Sequence, residues 1–551
     1  MKKIYTLAIA SLIGASINAQ SLFWTPTTYK GAFPVTDNTN STDWTSGWTN
    51  FDPENTNYGS PTTTVSTDIT SNTTWTTGTI VLLQNKIFVK NSAVLTIEPG
   101  VIIRGDKATQ GSLIITRGSK IVAQGTANNP IVFTSSEAAG ARAEGDWGGV
   151  IILGSALNNQ SGGIANIEGL AVSSDTEYGG SNDQDSSGVF SYVRIEFPGI
   201  PFIANKEING LTMGSVGSKT KIDHIQVSLS GDDGFEWFGG AVDAKYLVSF
   251  RNLDDDFDTD FGYRGRVQFG LIIRDADLSD AAGDSNGFES DNDATGTANL
   301  PRTQAVFSNI TNVGPLRNGS VTLPSGEKFE RAFYIRRNSS ISIFNSIATS
   351  WEKGLYIKDA GTVDNFTSND SAVFANNIIA SDIATTTIVD ANNSPSFYNT
   401  IFSSDNNDSS ATVSNIAWVN AFPSSITTTP DYRLQSSSIA ATGASFTDPK
   451  FVGVLPTSIS DQEKEITSLA VYPNPVTYNV ATLKVILPET EMVSIKILDI
   501  TGKTVLEISN DKLNAGANHI KLNTENINAG IYFASVSTQT YNKTIKLIIS
   551  K

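Results

Sequence analysis

The chain has 551 residues but no cysteine and only two histidines, His224 and His519. Without cysteine there is no disulfide, no thiolate metal site and no lipid-modified cysteine behind a leader. Two histidines are too few for a multi-histidine metal centre or a well-staffed imidazole acid/base site. Charge is also sparse: 17% of residues are charged, and 55 Asp and Glu outnumber 38 Lys and Arg, for a net of −17. Phosphates would be repelled by that balance, which excludes a nucleic-acid partner. Long apolar runs are missing too. The longest, Ile4 to Ile17, falls short of the ~20 residues that span a bilayer. No transmembrane segment is therefore expected in the mature chain.

That short run has another reading. Lys2 and Lys3 precede it, and Ala19 followed by Gln20 ends it, the pattern of a secretory signal peptide over residues 1–19 cleaved after Ala19. Ile17, at the third position before the cut, is less usual than Ala.

What remains is rich in strand and turn formers, with 45 glycines and many Thr, Ser and Asn residues. Residues 20–79 carry Trp24, Trp44, Trp48, Phe51, Tyr58 and Trp75 and are expected to form an N-terminal cap plugging the first coil of a solenoid. From Ile80 onward come short apolar runs such as Val94-Leu95-Thr96-Ile97, Leu113-Ile114-Ile115 and Val150-Ile151-Ile152-Leu153, each closed by Gly, Asn, Pro or a charged residue. Runs this short cannot be helices, and their spacing is too tight for βαβ units.

The middle of the chain repeats. Phe235, Phe257, Phe288, Phe333 and Leu355 sit at the centre of similar triplets, 22, 31, 45 and 22 residues apart, and each triplet follows another apolar strand. A period near 22 with occasional insertions is what a parallel β-helix requires, because loops of any length can leave at its corners. Coils stack about 4.8 Å apart, so these five residues are predicted to form one inward ladder. A β-sandwich, the rival reading, would not place like residues above one another at this period.

Three stretches carry a resemblance: Leu95-Thr96-Ile97-Glu98-Pro99-Gly100, Asn129 to Ser135, and Gly145-Asp146-Trp147-Gly148-Gly149. They resemble the opening coils of secreted bacterial right-handed parallel β-helix proteins, and the likeness covers roughly residues 80–455. It implies a fold more than an activity, since that architecture hosts lyases, hydrolases, adhesins and inert scaffolds. Residues 456–467 read as a polar linker.

Residues 468–551 change character, with eight Lys against six Asp or Glu. Strands such as Val493-Ser494-Ile495-Lys496-Ile497-Leu498 alternate apolar and polar, which suits a small antiparallel β-sandwich. Val471-Tyr472-Pro473-Asn474-Pro475, the turn Leu498-Asp499-Ile500-Thr501-Gly502-Lys503, Gly530-Ile531-Tyr532 and the basic end at Lys543, Lys546 and Lys551 closely resemble the C-terminal sorting domain of type IX secretion cargo. The resemblance implies recognition by outer-membrane secretion machinery, removal of the domain, and attachment to surface lipopolysaccharide or release.

One constellation stands out chemically. Residues 231–293 hold 16 Asp or Glu against 5 Lys or Arg. Aligned on the ladder, Asp233 matches Asp255, and Glu236 matches Asp258 and then Glu289. Stacked carboxylates about 5 Å apart repel by nearly 1 kcal/mol in bulk water and roughly 3 kcal/mol at an effective dielectric of 20. Three outcomes stay open: a solvated acidic face, Ca²⁺ held by Asp232, Asp233, Asp255, Asp256 and Asp258, or a catalytic carboxylate set. The neighbouring arginines Arg264, Arg266 and Arg274 are another means of offsetting that repulsion. Asp254 to Asp260 is no EF-hand loop, lacking the central Gly and the closing Glu. Gly231-Asp232-Asp233 is similar to the paired carboxylates of polygalacturonase-like hydrolases, but that family's Gly-His-Gly and Arg-Ile-Lys motifs do not follow. His224, in the apolar strand Ile222 to Leu229, reads as a hydrogen-bonded structural residue, and no catalytic residue is assigned. The expected function is a secreted or cell-surface binding, adhesive or structural protein, stiffened by Ca²⁺ and meeting extracellular glycan. The alternative is a polysaccharide lyase or glycoside hydrolase.

Overall fold

The computed structural model describes residues 23–36, 43–200, 208–280, 283, 285–316, 323–367, 371–382, 388–390, 397, 401–402, 405–451 and 468–550, less 488–489, 500–502, 515 and 538–541. The expected signal peptide with its cut at Ala19, the linker 456–467 and the middle of the turn at 498–503 lie outside them. The chain divides into two units, Met1–Val452 and Gly453–Lys551.

The strands of the first unit belong mainly to two long parallel sheets, one of 16 strands and one of 10. The chain visits them in turn. Lys221–Ser228 lies in the larger sheet, Phe235–Phe238 in the smaller, Ala244–Phe250 in the larger, Phe257–Asp260 in the smaller and Arg266–Ile273 in the larger again. Each strand pairs in parallel with its equivalent one coil further on. This is a parallel β-helix.

The sequence period is the register. Phe235 pairs with Phe257, Phe257 with Phe288, and Phe333 with Leu355. All five ladder side chains are buried in one core that extends from Ile69 to Ile401. Ring centroids along it are 5.5, 5.2 and 5.1 Å apart from Phe235 to Phe333. Each such side chain stabilises the coil by roughly 1.5–3 kcal/mol. The coils start before residue 80, since Thr63–Val65 already pairs with Ile80–Leu83.

In the larger sheet the wall bends at single residues with left-handed backbone, φ between 51° and 64° at Tyr192, His224, Tyr246 and Phe269, then Asn309, Asn345 and Asn376. Asparagine tolerates that region, whereas aromatic residues are strained there. Stacking offsets part of the strain. Tyr192 and His224 lie 4.1 Å apart, His224 and Tyr246 4.4 Å, and Tyr246 and Phe269 5.1 Å. His224 Nδ1 also sits 2.8 Å from Asp223 Oδ1.

The aromatics of residues 20–79 are divided rather than gathered over the first coil. Trp75 does enter the core there, on a strand paired with Val94–Ile97. Trp44, Trp48 and Phe51 instead lie along the outside of the larger sheet, against Tyr246, Tyr192 and Phe250. The physical reason is that Val248, Phe250, Leu271, Ile273 and Val313 form part of a second apolar cluster outside the helical core, and these rings belong to that cluster or pack on it.

The second unit is a pair of antiparallel sheets. Three strands, Ser468–Tyr472, Val480–Leu487 and Gly516–Asn523, form one, and four between Glu491 and Ile549 form the other. The expected alternation holds: Val493, Ile495 and Ile497 are buried in a core with Val485, Val536 and Leu547.

Candidate metal centre

On the smaller sheet, strand alternation sends Phe235 and Trp237 inward and Glu236 to the opposite face. One coil on, Phe257 enters the core and Asp258 takes the place of Glu236; one further, Phe288 enters and Glu289 follows Asp258. Asp260 continues a parallel row below Phe238. The result is a column of carboxylates on the wall of the solenoid.

A second row stands just before these strands. Asn209 Oδ1 accepts the backbone N–H of Asp233 at 3.3 Å, Asp233 Oδ1 that of Asp255 at 2.9 Å, and Asp255 Oδ1 that of Asn286 at 2.6 Å. Each side chain thus ties its coil to the next, which gives these aspartates a structural reason to stack. One oxygen of Asp233 makes this tie.

The two rows converge. Carboxylate oxygens of Asp232, Asp233 and Asp254 lie within 4.8 Å of one another, and so do those of Asp233, Glu236 and Asp258. Asp233 belongs to both groups. Asn209 donates to Glu236, whereas Asp258 Oδ1 is buried without a hydrogen-bond partner. Burial pushes the carboxyls of Asp233, Glu236, Asp255 and Asp258 well above the usual carboxylate range, and neighbouring negative charges add to it. Glu289 is pushed up to about 8 by burial, with Arg336 opposing.

Of the five expected ligands, Asp232, Asp233 and Asp258 come together in these groups, and Asp254 completes the first. Asp255 stands beside them, tied to Asn286. Asp256 is a correction. Its side chain has no solvent exposure and pairs with the equally buried Arg274, Oδ2 to Nε 2.6 Å, while Ser249 donates to it at 2.5 Å. Held by these two partners, Asp256 is turned away from the groups that Asp233 joins. Arg264 and Arg266 are also elsewhere, paired with Asp183 and Asp243. Arg336, bound to Glu289 and to Asp291 at 2.9 Å, and Arg337, 2.6 Å from Asp291, do reach the column. The sequence held that signal. Aligning Phe333 with Phe288 puts Tyr334 below Glu289 and Arg336 in the place of Asp291.

Chemically, both groups offer hard oxygen donors and neither nitrogen nor sulfur, a set that fits Ca²⁺. The unpartnered Asp258 oxygen fits a cation as well, because an isolated buried acceptor is costly to leave unmet. Carboxyls with raised pKa beside ionised ones can also give and take protons.

Among the described residues no helix is long and apolar enough to cross a membrane. Residues 470–550 match the secretion system C-terminal sorting domain. The protein is accordingly secreted or carried on the cell surface, and it meets type IX secretion machinery through this tail. No curated protein matches the chain. The model of the pectate-lyase-like beta helix domain matches residues 67–422, more than half of the chain. With its stacked parallel coils and inward apolar ladder, the chain belongs to that beta helix family.

Proposed function

We propose that the solenoid is a binding or adhesive module at the cell surface or released from it, which holds Ca²⁺ in its carboxylate column and meets extracellular glycan there. The observation that carries the reading is the pair of three-carboxylate groups sharing Asp233. Like charges so close repel unless they are protonated or neutralised, and the printed ion pairs of Arg336 and Arg337 are with Glu289 and Asp291. A cation at the Asp233 end removes the repulsion and leaves coordination positions for a ligand's oxygens. Titration with Ca²⁺ by calorimetry, followed by a glycan array read in Ca²⁺ and in EDTA, tests it. Saturable binding lost in Asp233→Asn, together with Ca²⁺-dependent glycan capture, supports the reading; heats that do not change with the variant sink it.

Cleavage of a polysaccharide is the second reading, favoured by the buried carboxyls of raised pKa and by the pectate-lyase likeness of the family. Release of reducing ends or of unsaturated uronates from acidic and neutral polysaccharides supports it, and a blank screen with the Ca²⁺-loaded protein rejects it. For the tail, we propose that it is removed on delivery and that the product is linked to lipopolysaccharide or released. Deleting residues 468–551 is expected to hold the protein behind the outer membrane, measured by fractionation. Normal delivery of the shortened chain would contradict that.

A further inference from the structure

The N-terminal segment is seated on the solenoid as a ligand would be. Residues 23–36 and 43–58 run along the larger sheet, and the wall receives them with side chains built for a polypeptide backbone. Gln226, fully buried, accepts the N–H of Asn50 at 2.8 Å and donates to its carbonyl at 2.7 Å. Gln268, also fully buried, does the same for Thr25 at 2.9 and 2.8 Å. A glutamine amide used this way replaces one peptide unit of a neighbouring strand. Asn309, at the bend of the wall, donates to the carbonyls of Tyr29 and Gly31.

The seat is close-fitting. A Cβ on Gly31 would stand 2.7 Å from Ile347 Cδ1 and 2.9 Å from Thr311 Oγ1, at a φ of 80° that side chains disfavour. Beneath and around the segment lies an apolar cluster separate from the helical core, including Val248, Phe250, Leu271 and Ile273 of the wall and Phe33, Trp48 and Phe51 of the segment.

Its partners come late in the chain. Tyr58 bonds Glu196, 138 residues on; Asn50 bonds Gln226, 176 on; Thr25 bonds Gln268, 243 on; and Ala32 bonds Thr311, 279 on. Lys30 donates to the carbonyl of Ala440 at 2.9 Å, and Leu434 to that of Pro34 at 3.0 Å. Closing contacts over such separations costs loop entropy that nearer contacts do not.

We propose that residues 23–36 and 43–58 are parts of a detachable strap that docks last, closing on the wall only when the coils and the 432–440 segment are in place. The device makes closure a test of completeness. The sorting domain follows the strap's final partners in sequence, so a chain long enough to be addressed is long enough to close. An incomplete chain leaves Val248, Phe250, Leu271 and Ile273 uncovered and so marks itself as unfinished.

The test uses the full mature chain with the exposed stretch Gly59 to Thr62 replaced by a protease site and cut after folding. The freed strap is expected to leave in mild urea while the strand circular dichroism of the coils persists. The emptied protein should then bind a synthetic peptide of residues 21–58 at one to one. Gln226→Leu or Gln268→Leu in the solenoid should weaken that binding about tenfold, two hydrogen bonds being lost in each, and a Gly31→Leu peptide should bind more weakly still. A strap that leaves only as the coils melt, an emptied protein that ignores the peptide, or a Gly31→Leu peptide that binds like the parent would each overturn the proposal.

Discussion

The two faces of the short strands in the smaller sheet make an instructive pair. Phe235, Phe257 and Phe288 form one column, and Glu236, Asp258 and Glu289, each one residue later, form the other. Register, spacing and backbone are common to both. Stacking like on like gathers apolar surface on the inner face and concentrates negative charge on the outer. A solenoid therefore amplifies whatever its repeat carries: the inner column holds the fold together, and the outer one creates a need that only protons, arginines or a cation can meet.

The sharpest way to separate the columns is to break the inner one. Phe257→Ala should cost about 3–5 kcal/mol in urea unfolding, the range for a buried aromatic cut to alanine, and the loss should be the same in Ca²⁺ and in EDTA. A loss that depended on Ca²⁺ would mean that the two faces are coupled. Arg274→Ala probes the buried ion pair with Asp256. Leaving Asp256 unpaired should also cost about 3–5 kcal/mol, whereas Arg274→Met with Asp256→Asn should recover much of it.

Breaking the outer column should do the opposite. Asp258→Asn removes one buried negative charge, so in EDTA the melting temperature should rise, on the order of 2 °C for about 1 kcal/mol, while the gain from added Ca²⁺ should vanish. A fall in EDTA would show that the carboxylate is a structural acceptor and not a frustrated one.

The outer column should also show itself in pH. Buried carboxyls whose folded pKa is raised bind more protons folded than unfolded, so without metal stability falls as pH rises from the ordinary carboxylate range. Asp256 at about 6 and Glu289 at about 8 fall within that window. Melting temperatures in EDTA should thus decline from pH 5 to pH 8, and Ca²⁺, which needs the ionised form, should flatten the decline. A flat profile in EDTA would mean that the column is ionised throughout and neutralised by its arginines.

The inner column was legible from the residues alone, since burial of Phe235, Phe257 and Phe288 follows from hydrophobic periodicity. Stacking of Glu236 on Asp258 followed from the same register. Asp256 was not legible as an interior group. Its place depends on a break in alternation where the chain enters the strand, and on Arg274 arriving from the next strand of the other sheet. Arg336 could have been reached by carrying the alignment one coil further, across an insertion of unequal length.

The N-terminal aromatics show the limit most clearly. Their composition called for burial, but whether they covered the end of the coil or its side depended on which wall positions were left apolar, and those lie hundreds of residues away. From the sequence by itself came the period, the parallel coils, the exported and sorted character of the chain, and the row of acids. Only the tertiary structure decided which acids come together, which arginines pair with them, and that the N-terminal segment lies along the wall. The physical reason is that periodic burial is a local property of the chain, whereas pairing of charges and seating of a strap depend on distances between residues that meet only after folding.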